Sequence, residues 1–253
     1  MPDDLGEQLQ DPKAPELFFL ATGVIFGCLA LGLILAARWL LGKRLPDLVG
    51  RWRWSVVGAG ALVWTVALAA AALLDWLIVP EAFSFRAGSG TAQLALYAVI
   101  GLAPQVFAEE IIFRGFVTQG VFLALRRDLP AAVVSGVLFG ALHLSNGAPH
   151  AVSATIFGVL TSLLAIRLGG IALPFGIHLA NNLFGAVVLV SAQDVFRNSP
   201  GLFLQDSPQM MWWDVIVTNI LLLIVTLVAL RGRRPAARIH KVGIARRLSR
   251  EQP

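Results

Sequence analysis

Seven apolar stretches fill most of this chain, at about 17–42, 54–79, 91–125, 131–145, 150–167, 170–193 and 211–230. A helix needs about 20 apolar residues to cross the hydrocarbon of a bilayer. The first, second, sixth and seventh stretches meet that length. The fourth and fifth are short, and the third is too long for one straight span. Of the 253 residues, 57% are hydrophobic and only 14% are charged. A soluble domain typically carries about 25% charged residues, and a water-soluble globule of this size could not bury so much apolar surface. The single cysteine, Cys28, excludes a disulfide framework; it is expected as a small buried core residue. The expected fold is all-α, a polytopic helical bundle of about seven spans. One membrane domain, 17–230, lies between a polar end, 1–16, and a basic tail, 231–253. Pro104 lies inside the third stretch. Proline removes a backbone donor and kinks or breaks a helix, so a broken or bent segment is expected there: a spanning helix, then an interfacial piece, with a bend near Gly115 or Gly120.

The net charge of +5 could suggest nucleic acid, but its distribution argues for membrane topology instead. Orientation follows Lys and Arg near span ends. With the N-terminus outside, one side receives Arg38, Lys43, Arg44, Arg51, Arg53, Arg126, Arg127 and Arg167. The tail adds Arg231, Arg233, Arg234, Arg238, Lys241, Arg246, Arg247 and Arg250 to the same side. The other side receives Lys13, Arg86 and Arg197. The expected topology is N-terminus outside and C-terminus cytoplasmic, in a multi-pass protein of a bacterial plasma membrane. The tail is expected to grip anionic lipid, and no nucleic-acid partner is expected. The acidic, polar first 16 residues lack the basic start of a signal peptide. Trp39, Trp52, Trp54, Trp76, Trp212 and Trp213 lie near span ends, as interfacial aromatics do.

Ionisable residues inside a span cost about 2.5–3.5 kcal/mol each on insertion scales and mark functional sites. Three places stand out. Glu109 and Glu110 are adjacent, so on a helix they point about 100° apart. Glu110 and Arg114 are four apart and can pair, which leaves Glu109 to find a partner on another helix or a water. Phe139 and His143 share a second helical face. His178 and Asn182 share a third, while Asn181 is placed for interhelical hydrogen bonding. His150 follows a turn-rich stretch and reads as a loop residue, and His240 lies in the tail.

Glu109, His143, His178 and Asn182 come from three segments and suit a water-activating hydrolase. A carboxylate assisted by imidazole can deprotonate water, and imidazole and amide donors can hold an oxyanion. The sequence has neither a G-x-S-x-G elbow nor an H-E-x-x-H helix. Two histidines and a glutamate can alternatively hold zinc with an open water position. These routes stay open on residue types alone.

In order, the elements read EExxxR, FxxxH and HxxxN on successive membrane segments. The chain thereby resembles the CPBP intramembrane proteases (CAAX proteases and bacteriocin-processing enzymes, also called the Abi family), over about residues 95–192. The resemblance implies an endopeptidase acting on a membrane-bound or lipid-modified peptide. It implies Glu109 as the base with His143 as its partner, and His178 and Asn182 as the oxyanion site. Glu110, Arg114 and Phe139 would be supporting residues. A metal-free glutamate mechanism is favoured. If a metal such as Zn is present, Glu109, His143 and His178 are its ligands. The competing functions are a catalytically silent binding or immunity protein and a proton-coupled carrier. The prenyl label of some family members is not transferred.

Overall fold

A computed structural model describes residues 15–88, 90–193, 196–197, 199, 201–208 and 211–231. Each apolar stretch forms a helix. The order is α1 (Pro15–Leu41), a short α2 (Leu45–Val49), α3 (Trp54–Ile78), α4 (Thr91–Leu125), α5 (Asp128–Ala141), α6 (Ala148–Leu168), α7 (Ala172–Val188) and α8 (Met211–Leu230). Five of these, α1, α3, α4, α6 and α8, are long and apolar enough to cross a membrane, whereas α5 and α7 are shorter. The polytopic helical bundle expected from the sequence is therefore present. The polar end up to residue 14 and the tail beyond Arg231, with His240, lie outside the described residues.

Three details differ from expectation. The fifth stretch is long enough to span, because Gly147 (φ 97°) turns the chain and Pro149 helps start α6 two residues early. The sixth is shorter than expected, because the backbone leaves the helix after Val188 and becomes extended. Its Val187, Val188 and Val190 are β-branched and favour strand. The third stretch neither breaks at Pro104 nor sheds an interfacial piece. Pro104 sits inside regular helix, and the departure from α geometry is a π-helical stretch, Ile111–Thr118, after which Gln119–Leu125 resumes. Gly115 lies in the π stretch and Gly120 in regular helix. Widening the turn shifts the hydrogen-bond register without cutting the ladder, and such stretches recur at functional sites.

A small sheet at one end was not expected from residue pattern. Strands β1 (Phe83–Phe85), β2 (Leu189–Ser191) and β3 (Phe203–Gln205) pair in the order β1-β3-β2, with β3 antiparallel to β1 and parallel to β2. They follow α3, follow α7 and precede α8, so they lie at the end of the bundle where those helices meet. At the opposite end, Arg51 N–H donates to the Gly169 carbonyl (2.9 Å) and Ile171 N–H to the Val49 carbonyl (2.9 Å). This ties α2 to the α6–α7 turn.

Lipid tails are as apolar as leucine, so helices in a bilayer associate through close packing of small residues. The most extensive helix pairings are α5 with α6, α1 with α4 and α3 with α7. A Cβ on Gly158 would lie 2.7 Å from the Gly136 Cα, so the two backbones touch there. Large aliphatic side chains such as Val24, Ile25, Leu62, Leu96 and Ile220 face outward. Cys28 joins them on α1 and is exposed, not a core residue; one face of α1 has no helix against it. Trp39, Trp54, Trp76, Trp212 and Trp213 are exposed near helix ends. Trp52 instead turns inward against Phe107 and Phe175. Replacing Gly158 with Leu should separate α5 from α6 and destabilise the fold by about 1–3 kcal/mol. Gly120→Ala, where a Cβ meets open space, should be neutral or stabilising. Thermal unfolding of both variants in detergent checks the contrast.

Candidate active site

The acidic pair sits where α4 changes from α to π geometry. Glu110 ends the α-helical part and Arg114 lies one turn on, both fully buried. The expected ion pair forms, with Arg114 Nη1 3.1 Å from Glu110 Oε1. Arg114 also donates from Nε (3.2 Å) and from Nη2 to the Thr161 hydroxyl on α6. Its guanidinium lies 4.8 Å from the centre of the Phe139 ring, where the ring's negative face attracts a cation. Thr118 donates to the Phe113 carbonyl (2.7 Å) and accepts from the Ser162 hydroxyl (3.0 Å), and Ser135 donates to the same carbonyl (2.9 Å). These bonds satisfy a carbonyl at the disturbed part of the helix.

Glu109, left without a partner on its own turn, finds one on α7. Its Oε2 is 3.4 Å from His178 Nε2, and its Oε1 accepts from Gln105 at 3.2 Å. The other nitrogen of His178, Nδ1, is 2.9 Å from Glu110 Oε1. A single buried imidazole thus bridges both carboxylates, which is why the acids could be adjacent yet point apart. With His178 protonated on both nitrogens, it and Arg114 balance the two glutamates. Phe139 and Phe157 wall the ring edge-on at 5.7 and 5.1 Å.

Asn182 stands one turn beyond His178. Trp64 Nε1–H donates to Asn181 Oδ1 (3.1 Å), and Asn181 Nδ2 donates to Asn182 Oδ1 (3.4 Å). The chain of bonds occupies the acceptor of Asn182 and leaves its Nδ2 hydrogens for a ligand. Asn181 is therefore the interhelical residue expected of it. Its partner, Trp64, was missed, since a tryptophan in mid-span carries no polar signal in a hydropathy reading.

His143 lies two residues past the end of α5. Its Nδ1 is 2.7 Å from the Phe139 carbonyl. A carbonyl only accepts, so Nδ1 carries the proton and Nε2 of the neutral ring carries a lone pair. Phe139 packs on the ring at 4.6 Å. His150 stacks on it at 5.3 Å and 14°, so His150 belongs to the first turn of α6 and to the site, and is not a loop residue. The ring touching Glu109 is His178; His143 lines the same cavity.

Glu109, His143, His178 and Asn182 all border one cavity of about 320 Å³. Gln105, Trp64 and Asp214 border it as well. Asp214 and Asp75 are further acids within spans that the sequence reading passed over; Trp213 Nε1–H donates to Asp75 at 3.0 Å. The zinc alternative fits poorly. Both nitrogens of His178 are turned toward carboxylates. Among the described residues no three His, Cys, Asp or Glu side chains gather as a metal-ligand set.

Removing one partner of a buried ion pair costs about 3–5 kcal/mol, because the other charge is stranded. Arg114→Met should therefore lower the melting temperature sharply. The double variant Glu110→Gln/Arg114→Met should recover much of the loss, read by thermal unfolding in detergent.

Comparison with known proteins bears on the same segment. Residues 91–184 match the family described as type II CAAX prenyl endopeptidase Rce1-like. The chain is also 27% identical over 220 residues to the uncharacterized protein YyaK of Bacillus subtilis (strain 168), covering 83% of this chain and 73% of that protein. No solved structure matches. The matched segment contains the EExxxR, FxxxH and HxxxN elements in full, and residues 91–184 thus carry the Rce1-like CAAX endopeptidase pattern, consistent with the CPBP family.

Proposed function

We propose that this protein is an intramembrane endopeptidase in which Glu109 activates water without a metal. The observation that carries the reading is the floor of the cavity. There a carboxylate and the His178 ring lie 3.4 Å apart, beside a second histidine and an oriented amide. The family match over 91–184 supports the same reaction class.

The steps follow from the donors and acceptors. Glu109 takes a proton from water while the water oxygen bonds to the carbonyl carbon of the scissile peptide. The carbonyl oxygen becomes an oxyanion, and His178 Nε2–H and Asn182 Nδ2–H donate to it. Glu110 and Arg114 fix the His178 ring, and Trp64 and Asn181 fix Asn182. Preset donors need no reorganisation as charge develops. His143 Nε2 relays the proton from Glu109 to the departing nitrogen, and the C–N bond breaks to give a carboxylate and an amine. The substrate is a membrane-associated peptide, with or without a lipid on cysteine.

Glu109→Gln should lower kcat about 10²–10⁴-fold, with kcat counted per folded protein because the substitution also removes one charge from the buried cluster. Asn182→Ala should lower kcat about 10²–10³-fold. The assay is cleavage of a quenched peptide library by detergent-purified protein, with lipidated and plain cysteine arms. A chelator should not change the rate. Full activity in Glu109→Gln would remove it from the mechanism, and loss of activity with chelator would restore the metal.

A further inference from the structure

The cavity has a closed end and an open end, and the basic residues of the described chain cluster at the closed one. Its wall includes Asn146 and His150 at the α5–α6 connection, Ser191 and Gln193 after α7, and Met211 and Asp214 at the start of α8. These are the ends of the bundle next to the small sheet. In the other direction, beneath Glu109, the interior is filled. Ile111, Arg114, Thr118, Ser135, Thr161 and Ser162 are each at most 1% exposed, and the Arg114–Thr161 and Thr118–Ser162 bonds join α4 to α6 across that layer.

The charges follow the same axis. Arg38 and Lys43 sit at and after the end of α1, Arg51 and Arg53 before α3, and Arg126 and Arg127 between α4 and α5. Arg167 ends α6 and pairs with Asp128, and Arg231 follows α8. All of these lie at the filled end. Among the described residues, the cavity end has only Arg86 and Arg197. Excess Lys and Arg in short connections marks the cytoplasmic side.

We infer that the site opens away from the cytoplasm and takes peptide segments presented on the outer, non-cytoplasmic face of the membrane. The substrates are then chains already exported or inserted, such as the outer juxtamembrane part of a membrane protein or an exported lipid-anchored peptide. The inference rests on the endopeptidase reading for the word substrate, but the orientation stands on charge and shape alone.

Two measurements test it in the full-length protein. In a Cys28→Ser background, Ser145→Cys places a thiol on the exposed turn at the cavity mouth, and Lys43→Cys places one at the basic end. A membrane-impermeant maleimide applied to intact expressing cells should label Ser145→Cys directly and Lys43→Cys only after permeabilisation. Right-side-out vesicles should then cleave an external quenched peptide, the best one in the library, without detergent. Inside-out vesicles should cleave it only once detergent is added. The reverse labelling order, or cleavage by intact inside-out vesicles alone, overturns the inference. Outward labelling with no cleavage by wild type even in detergent removes the endopeptidase reading, and with it the claim about substrates, while leaving the orientation in place.

Discussion

The bundle is organised around four ionisable side chains that have no business in hydrocarbon unless they meet: Glu109, Glu110, Arg114 and His178. Each is expensive alone, and together they can sum to zero charge. His178 is the keystone because it lies against both carboxylates, 3.4 Å from Glu109 and 2.9 Å from Glu110. Its placement demands that α7 approach α4 closely, and α7 is held in turn against α3, where Gly60 and Gly176 let the backbones touch. The glycine contacts and the polar cluster therefore impose the same geometry from opposite directions.

The disturbed helix of α4 serves that geometry. A strict α-helix of 35 residues would carry every side chain on one uniform spiral. Where α4 passes into the π stretch beginning at Ile111, Glu109 faces the cavity while Glu110, Arg114 and Thr118 lie in the buried interior. Thr118 and Ser135 satisfy the carbonyl of Phe113 that this region leaves available. An interior backbone acceptor without a partner would otherwise carry a desolvation penalty of about 1–3 kcal/mol.

Much of this was legible from residue spacing. Apolar runs located the seven apolar helices, five of them long enough to cross a membrane, and the four-residue offset of Glu110 and Arg114 announced their ion pair. The offset of Phe139 and His143 foretold a shared face, and the three motifs pointed to one segment of the chain. What was not legible has physical causes. Trp64, Gln105 and Thr161 act through atoms that only tertiary proximity brings into use, 117 residues apart in the case of Trp64 and Asn181. The sheet is built from three-residue strands, too short to show alternation. His150 looked like a loop residue because Gly147 and Pro149, which read as turn signals, here start a helix. The continuity of the third segment through Pro104 was hidden because proline in a long membrane helix can be tolerated by its neighbours.

The packed layer beneath the acids has an electrical consequence. Ionisable groups at mid-depth ordinarily invite a file of water and a leak of protons down the membrane potential. Here the guanidinium of Arg114, capped by a threonine hydroxyl and aromatic rings, stands as a positive plug between the cavity and the basic side. Under the proposed reaction, protons released at Glu109 exchange with the compartment at the mouth, and the packed layer keeps that chemistry from short-circuiting the membrane.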